Sequence, residues 1–286
     1  MLQDLSYGKL DNAFCVREPE NQDVVICIRQ GSVLLHRAED DTLTLPNWQQ
    51  VKLWSEGWEH WNAQKLQYIF CLQDTNYFLW MGQAGECGDD RFGYEQTRGL
   101  RQLVSKEICF GVLTAWHLYN WYAGNRFCGR CGSATVHDDQ ERMLRCESCG
   151  NMIFPRISPA VIIAVTDGDR LLLSKYAGRS YTRYALLAGY TEIGETLEQT
   201  VSREVMEEVG LQVENIRYYK SQPWGVDGNV LMGFYCDLKG DDTIRLDETE
   251  LSMAQWFPRD NIPAHDDGIS LTREMIRVFS EGNEPK

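Results

Sequence analysis

The sequence lacks the features that define several large classes of protein. No apolar run approaches the roughly 18 residues of a membrane span. The first twenty residues, MLQDLSYGKLDNAFCVREPE, lack the basic start and apolar middle of a signal peptide. No internal repeat or low-complexity segment is evident. We therefore expect a cytoplasmic protein without membrane association, and 286 residues are enough for two or three domains.

Basic residues are scarce, with 28 Lys and Arg against 42 Asp and Glu, for a net charge of −14. This charge opposes unassisted binding of a polyanion over a broad surface. A phosphate-bearing substrate would therefore need local neutralisation, most simply by a divalent cation.

Four of the ten cysteines form two C-x-x-C pairs, Cys128 with Cys131 and Cys146 with Cys149, separated by fourteen residues. Each pair is followed by glycine. This spacing lets four thiolates meet around one Zn²⁺ ion, and four thiolates close its coordination shell, so the predicted zinc is structural. The other six cysteines are scattered, as expected of reduced cytosolic thiols.

Zinc ribbons also bind nucleic acids, which is an alternative role for this segment. It contains few basic residues, and a nucleic-acid-binding surface should be more basic. The basic residues are Arg130, Arg142 and Arg145, flanked by Arg126 and Arg156, against the acidic residues Asp138, Asp139 and Glu141.

The texture of the chain predicts an α+β fold in four parts. Residues 1–95 have short apolar bursts typical of a β-rich domain, and residues 96–123 have helical periodicity. The zinc ribbon spans 124–156 and a catalytic domain spans 157–286. Trp54, Trp58 and Trp61 have the spacing of one helix face, which favours core packing. SPAVIIAVTDGDRLLLSKY, residues 158–176, predicts a β-hairpin.

The segment REVMEEVG, residues 203–210, places three glutamates in one predicted helix over about 197–209. Thr196 and Gln199 can form its capping box, and Gly210 can end it. At 100° per residue, Glu204, Glu207 and Glu208 border or overlap the apolar stripe rather than lying opposite it. Carboxylates at a core edge favour neutralisation by Mg²⁺ or Mn²⁺. The alternative is a solvated face that pairs with Arg203.

The wider frame G-x5-E-x7-R-E-U-x-E-E-x-G-U, where U is aliphatic, is filled from Gly189 to Leu211. This pattern resembles the Nudix box, so the resemblance implies an α/β/α Nudix sandwich that hydrolyses nucleoside diphosphate derivatives. With the preceding ribbon, the chain resembles NADH pyrophosphatases, also described as NAD-capped RNA hydrolases. The motifs RFCGRCG, FPRISPAVI, LLAGYTEIGET and SQPW support this over about residues 95–280.

The resemblance implies roles for individual residues. Glu204, Glu207, Glu208 and Glu250 would be catalytic and, with the Ala188 carbonyl, would bind Mg²⁺ or Mn²⁺; Arg203 would orient the glutamates. Tyr190 would stack on the nicotinamide, and Phe154 would come from the other subunit of a homodimer; core or interface packing is the alternative for both. The other implied substrate contacts are Gln222, Pro223, Trp224, Glu141, Thr272 and Arg98.

One departure concerns the loop after SQPW. The family usually continues with a proline-rich PFPxS, whereas here Gly225-Val226-Asp227-Gly228 follows, which predicts a looser turn.

The expected activity is hydrolysis of NAD(H) to nicotinamide mononucleotide and AMP, with NAD-capped RNA as a further substrate. The alternatives are hydrolysis of ADP-ribose or dinucleoside polyphosphates, and a non-catalytic nucleotide sensor.

Overall fold

The computed structural model describes residues 1–5, 9–178, 183–263 and 268–286. Their contacts divide the chain into two units. One contains Asp4–Arg156 and Gly225–Gly228, and the other contains Met1–Gln3, Ile157–Trp224 and Asn229–Lys286. No helix in the described ranges is long and apolar enough to cross a membrane.

The first unit is rich in short strands, as the sequence predicts. β1, β6, β7 and β2 form one sheet; β3, β4 and β5 form a second, in which β8 pairs with β4; β11, β10 and β9 form a third. The strands are β1 (Leu10–Asp11), β2 (Val24–Ile26), β3 (Ile28–Arg29), β4 (Ser32–Arg37), β5 (Leu43–Thr44), β6 (Leu66–Leu72), β7 (Thr75–Trp80), β8 (Phe92–Gln96), β9 (Val136–His137), β10 (Leu144–Arg145) and β11 (Met152–Ile153).

The helices of this unit are α1 (Trp48–Val51) and α2 (Lys106–Gly124). The prediction that helical structure begins near residue 95 is wrong, because β8 reaches Gln96 and a 3-10 turn spans Thr97–Gln102. The helix starts only after Ser105, whose hydroxyl accepts a hydrogen bond from the Ile108 amide. This capping contact fixes the start of α2.

The predicted tryptophan helix is also absent. Trp54 and Trp58 pack into the hydrophobic core, but a 3-10 turn at Ser55–Gly57 separates them. Trp61 follows in an irregular segment and is half-buried outside that core cluster. The spacing therefore predicted the packing of two tryptophans and not that of the third.

The second unit is a mixed sheet between two helices, which confirms the predicted α/β/α sandwich. The sheet order is β15, β16, β12, β13, β17, and β14 also pairs with β12. Its elements are β12 (Ser158–Asp167), β13 (Arg170–Tyr176), β14 (Leu187–Tyr190), α3 (Leu197–Val209), β15 (Val213–Trp224), β16 (Asn229–Leu238), β17 (Leu251–Pro258) and α4 (Leu271–Ser280).

β12 is the central strand because its apolar run is buried on both faces. Val161, Ile163 and Val165 pack in the cluster that contains α3, whereas Ile162 and Ala164 pack in the cluster that contains α4. Side chains alternate between the faces of a strand, so a continuous apolar run serves both helices. The predicted hairpin is confirmed by the antiparallel pairing of β12 with β13.

The start of α4 depends on a buried amide from β15. Gln222 is fully buried; its Oε1 accepts from the Leu271 amide at 2.8 Å, and its Nε2 donates to the Ile269 carbonyl at 2.8 Å. The Nε2 atom also lies 3.2 Å from Oε1 of Gln3. These bonds satisfy backbone groups that the helix start leaves open.

We predict that Gln222→Ala lowers the free energy of unfolding of this unit by about 2 kcal/mol, because the buried Leu271 amide loses its acceptor. Thermal unfolding would show the lower Tm. Glu214→Ala, which removes an exposed carboxylate from the same strand, is the matched control and should change stability little. Equal Tm values for the two variants would contradict the role assigned to Gln222.

Candidate active site

The glutamates lie on α3, whose ends are as predicted. Thr196 and Gln199 form the capping box, and Gly210 ends the helix at φ 69°. Packing of Val201, Val205 and Val209 against the sheet fixes the rotation of the helix about its axis. Glu204 and Glu208 are consequently buried, at 8% and 2% exposure, while Glu207 is exposed.

Arg203 connects the acidic residues. Its Nε and Nη2 donate to the two oxygens of Glu195 at 2.6 and 3.0 Å, and its Nη1 donates to Glu204 at 2.8 Å and to Glu207 at 2.9 Å. Nη2 also donates to the Tyr190 carbonyl at 2.9 Å. The planar guanidinium therefore orients both α3 and the end of β14.

The electrostatics of the acids differ with their surroundings. Hydrogen bonds from Arg203 lower the pKa of Glu195 to about 2. Burial raises the pKa of Glu204, while Arg203 lowers it and the charges of Glu207 and Glu250 raise it further. The pKa of Glu204 is therefore raised on balance, and a cation beside it would favour its ionised form.

The donor set at this site suits a hard cation, because carboxylate oxygens are the ligands that Mg²⁺ and Mn²⁺ prefer. In this structure, however, the glutamates do not converge as closely as the cysteines do. Among the described residues, the four cysteines are the group whose ligand atoms lie within 4.8 Å of one another. Arg203, rather than convergence of the acids, supplies the neutralising charge in this state.

β14 borders the glutamates and requires a glycine. A Cβ atom on Gly189 would lie 1.9 Å from Cδ of Glu204, so the carboxyl group occupies the space that a side chain would need. Ala188 and Gly189 pair with Ile162 and Val161 of β12, which holds β14 in place. The glycine of the sequence frame therefore makes room for the buried Glu204.

Tyr190, the last residue of β14, is 53% exposed. Its hydroxyl lies 3.1 Å from Nδ2 and 3.3 Å from Oδ1 of Asn229, a buried residue at the start of β16. Sequence reasoning missed Asn229. The sequence did contain a signal for this residue: Asn229 is polar, yet it begins an apolar strand directly after the Asp227-Gly228 turn.

The other predicted residues of this unit lie in different environments. Glu250 is exposed, and its carbonyl accepts from the Ala177 amide. Pro223 is exposed, while Trp224 and Thr272 are half-buried. Gln222 has its amide occupied by the contacts at α4, so direct contact with a substrate would require those bonds to open.

The loop after Trp224 is not the loose turn that its glycines suggested. Residues 225–228 belong to the first unit, where they pack on α2. A Cβ on Gly225 would lie 2.0 Å from the Leu113 carbonyl oxygen, and one on Gly228 would lie 3.2 Å from Nε2 of His117. These glycines permit close packing that a side chain would prevent.

Three further predicted residues lie in the first unit. Arg98 is exposed in the 3-10 turn before α2, and Glu141 is exposed in the ribbon. Phe154 follows β11 with its ring 51% exposed. The side chains of all three residues are exposed, so a ligand can reach each of them on the surface of the first unit.

The four cysteines of the ribbon form a zinc site. Cys128 Sγ lies 3.6 Å from Cys149 Sγ, and Cys131 Sγ lies 3.4 Å from Cys146 Sγ. Zn–S bonds of about 2.3 Å place tetrahedral sulfurs about 3.8 Å apart, so the spacing fits. Hydrogen bonds from Ser133 lower the pKa of Cys131 to about 6, which favours the thiolate that zinc requires.

Comparison with known proteins identifies these domains. A family model described as a NUDIX domain matches residues 156–279, and one described as the NADH pyrophosphatase zinc ribbon domain matches residues 124–154. A solved NUDIX hydrolase from Nitrosomonas europaea aligns at a TM-score of 0.47 and 24% identity, covering 55% of this chain and 91% of that chain. The family match over residues 156–279, which contain the sandwich and its glutamate helix, makes this part of the chain a Nudix domain.

Relatives that match both the ribbon and the Nudix domain indicate which group of Nudix proteins the chain belongs to. NAD-capped RNA hydrolase NudC of Pectobacterium atrosepticum is 37% identical over 182 residues. The match covers 64% of this chain and 66% of that relative, which is just under two thirds of its length. The protein of the same name from Haemophilus influenzae (strain PittEE) is 35% identical over 226 residues, covering 77% of this chain and 83% of the relative. The chain therefore belongs to this family of Nudix proteins, as the resemblance predicted.

We predict that Gly189→Ala displaces the Glu204 carboxylate while the sheet stays folded, because the side chain can move and the backbone cannot. If Glu204 binds the cation, Mn²⁺ affinity measured by electron paramagnetic resonance should fall about 10- to 100-fold. Gly93→Ala, on β8 with open space around it, is the control. Unchanged Mn²⁺ affinity in Gly189→Ala would argue against Glu204 as a ligand.

Proposed function

We propose that the chain hydrolyses the pyrophosphate bond of NAD(H) to nicotinamide mononucleotide and AMP, with Mg²⁺ or Mn²⁺ as cofactor. The observation that carries this proposal is the pair of buried carboxylates, Glu204 and Glu208, beside the Arg203 network. Buried anions require compensation, and the family gives these positions a shared chemistry. The names of the relatives support NAD as the substrate and extend the proposal to NAD-capped RNA.

Glu204, Glu208, Glu250 and the Ala188 carbonyl would hold the cation, which when bound would neutralise phosphate oxygens and promote ionisation of the attacking water. Glu207 is exposed and lies within reach of solvent, so it would act as a further ligand or as the general base. Arg203 would keep Glu204 and Glu207 oriented through its hydrogen bonds to both carboxylates.

The substrate would lie against exposed aromatic surface. Tyr190 would stack on the nicotinamide, with Pro223 and Trp224 beside it, and Thr272 at the start of α4. Phe154 would contribute from the second subunit of a homodimer, with Glu141 and Arg98 as further contacts. Gln222 would act on this surface by holding the start of α4 rather than by direct contact. The enzyme would work in the cytoplasm.

A second candidate function is hydrolysis of ADP-ribose or dinucleoside polyphosphates. The loop after Trp224 favours it, because Gly225–Gly228 replaces the proline-rich segment of the family and adds Asp227. A change in the sequence of this loop would alter substrate selectivity more readily than it would alter the chemistry at the glutamates.

A hydrolysis panel tests the proposal. We expect Mg²⁺- or Mn²⁺-dependent turnover of NADH, NAD and NAD-capped RNA above that of ADP-ribose, and loss of turnover with a chelator that spares the ribbon zinc. Glu208→Gln and Glu207→Gln should lower kcat about 10²- to 10⁴-fold while the protein stays folded. Liquid chromatography of the products measures both effects.

Glu198→Gln, an exposed glutamate on the first turn of α3, is the matched control and should retain activity. If no substrate is turned over, the proposal that the chain is a hydrolase is contradicted. Clear preference for ADP-ribose would replace the NAD(H) assignment with the second candidate. Unfolding of the glutamine variants without a specific loss of kcat would indicate that the acids serve only as salt-bridge partners.

We also predict that Asn229→Ala raises the KM for NADH about fivefold with little change in kcat, because the Tyr190 ring loses the hydrogen bond that orients it. Tyr190→Phe keeps the ring and removes the same bond, so it should give the same KM. The double variant should then resemble either single variant. Additive effects on KM would show that Asn229 acts independently of Tyr190.

A further inference from the structure

A cleft of about 530 Å³ lies inside the first unit, between the β-rich region and the ribbon. Its size falls within the range of small-molecule sites. None of the catalytic glutamates contributes to it. Its lining includes Trp61, Tyr122, Arg126, Phe127, His137 and Gln67.

Aromatic rings and one cation lie in series along this cleft. The guanidinium of Arg126 is 5.2 Å from the centre of the Trp61 ring and 5.9 Å from that of Phe127. Phe127 is 62% exposed. The exposed Phe127 and the half-buried Trp61 beside an arginine form a surface on which a flat aromatic ligand can stack.

One of the polar groups in the cleft is the imidazole of His137, whose tautomer is set by its hydrogen bond. His137 stacks on Tyr122 with ring centres 4.8 Å apart and an angle of 4°. Its Nδ1 lies 3.2 Å from Oε1 of Gln67, and the Gln67 amide nitrogen donates to the Tyr68 carbonyl. Oε1 is therefore the acceptor and Nδ1 carries the proton. Nε2 is left as an acceptor without a hydrogen bond in the described part of the chain.

Burial lowers the pKa of His137 to about 4, so the ring is neutral at pH 7 and Nε2 keeps its lone pair. The other charged groups in the lining are Arg126 and two carboxylates, Asp138 and Asp139. A polyphosphate would meet net negative charge there. A flat, neutral ring that carries hydrogen-bond donors fits better.

We propose that this cleft binds a nucleobase, which stacks on Phe127 and Trp61 and donates a hydrogen bond to Nε2 of His137. The exocyclic amino group of adenine can supply that donor. The base would come either from a free nucleoside or from single-stranded RNA whose bases are unstacked. This proposal does not rest on the hydrolysis proposed above, because the cleft contains no catalytic group.

Isothermal titration of the full-length, zinc-loaded protein with adenosine and with an uncapped pentaadenylate tests the proposal. We expect one molecule bound per chain, with affinity about tenfold or more lower in Phe127→Ala and in His137→Phe, which keeps the ring and removes Nε2. Leu53→Ala, an exposed apolar residue outside the cleft, should bind as the unchanged protein does.

Binding of both probes would indicate a nucleoside site, and binding of pentaadenylate alone would indicate an RNA site. No binding of either probe, or binding that neither cleft variant weakens, would overturn the proposal. NADH hydrolysis is measured in parallel and should be unaffected by Phe127→Ala. The two measurements therefore test the nucleobase site and the proposed hydrolysis separately, so that either proposal can fail without the other.

Discussion

The ion-pair network of Arg203 is the interaction on which the active site depends. Burial of Glu204 beside the sheet is costly for a carboxylate, and the guanidinium offsets part of that cost. The same side chain connects Glu195, before α3, with the carbonyl of Tyr190 at the end of β14. One cation thus fixes three segments, but burial still raises the pKa of Glu204. The proposed divalent cation would favour the ionised form of this carboxylate.

The network is possible because the sandwich brings its members together with little freedom. β12 is apolar on both faces, so it fixes α3 on one side and α4 on the other. β14 pairs with β12 and presents Gly189 where Glu204 needs room. Packing energy from the core therefore helps to determine the position of carboxylates that repel one another. A site of like charges could not assemble without such a scaffold.

The sequence predicted those features whose signals are local. The capping box at Thr196, the end of α3 at Gly210 and the hairpin between β12 and β13 all follow from residues within a few positions of one another. Gln222 and the glycines at 225 and 228 could not be understood in this way, because their partners lie 47 to 219 positions away along the chain. Family resemblance marked Gln222 as functional, but only the fold shows that its amide holds the start of α4.

Trp61 shows how a correct periodicity can still predict the wrong role for a residue. Its spacing from Trp54 and Trp58 matches a helix, yet the 3-10 turn ends before it and its ring lies beside Arg126.

The position of Trp61 in the cleft matters for the way in which this protein could recognise a nucleic acid. A chain with a net charge of −14 gains little from long-range attraction to a phosphate backbone. Stacking and a neutral imidazole acceptor do not need that attraction, so an acidic protein that recognises RNA would do so more readily through a base than through the backbone.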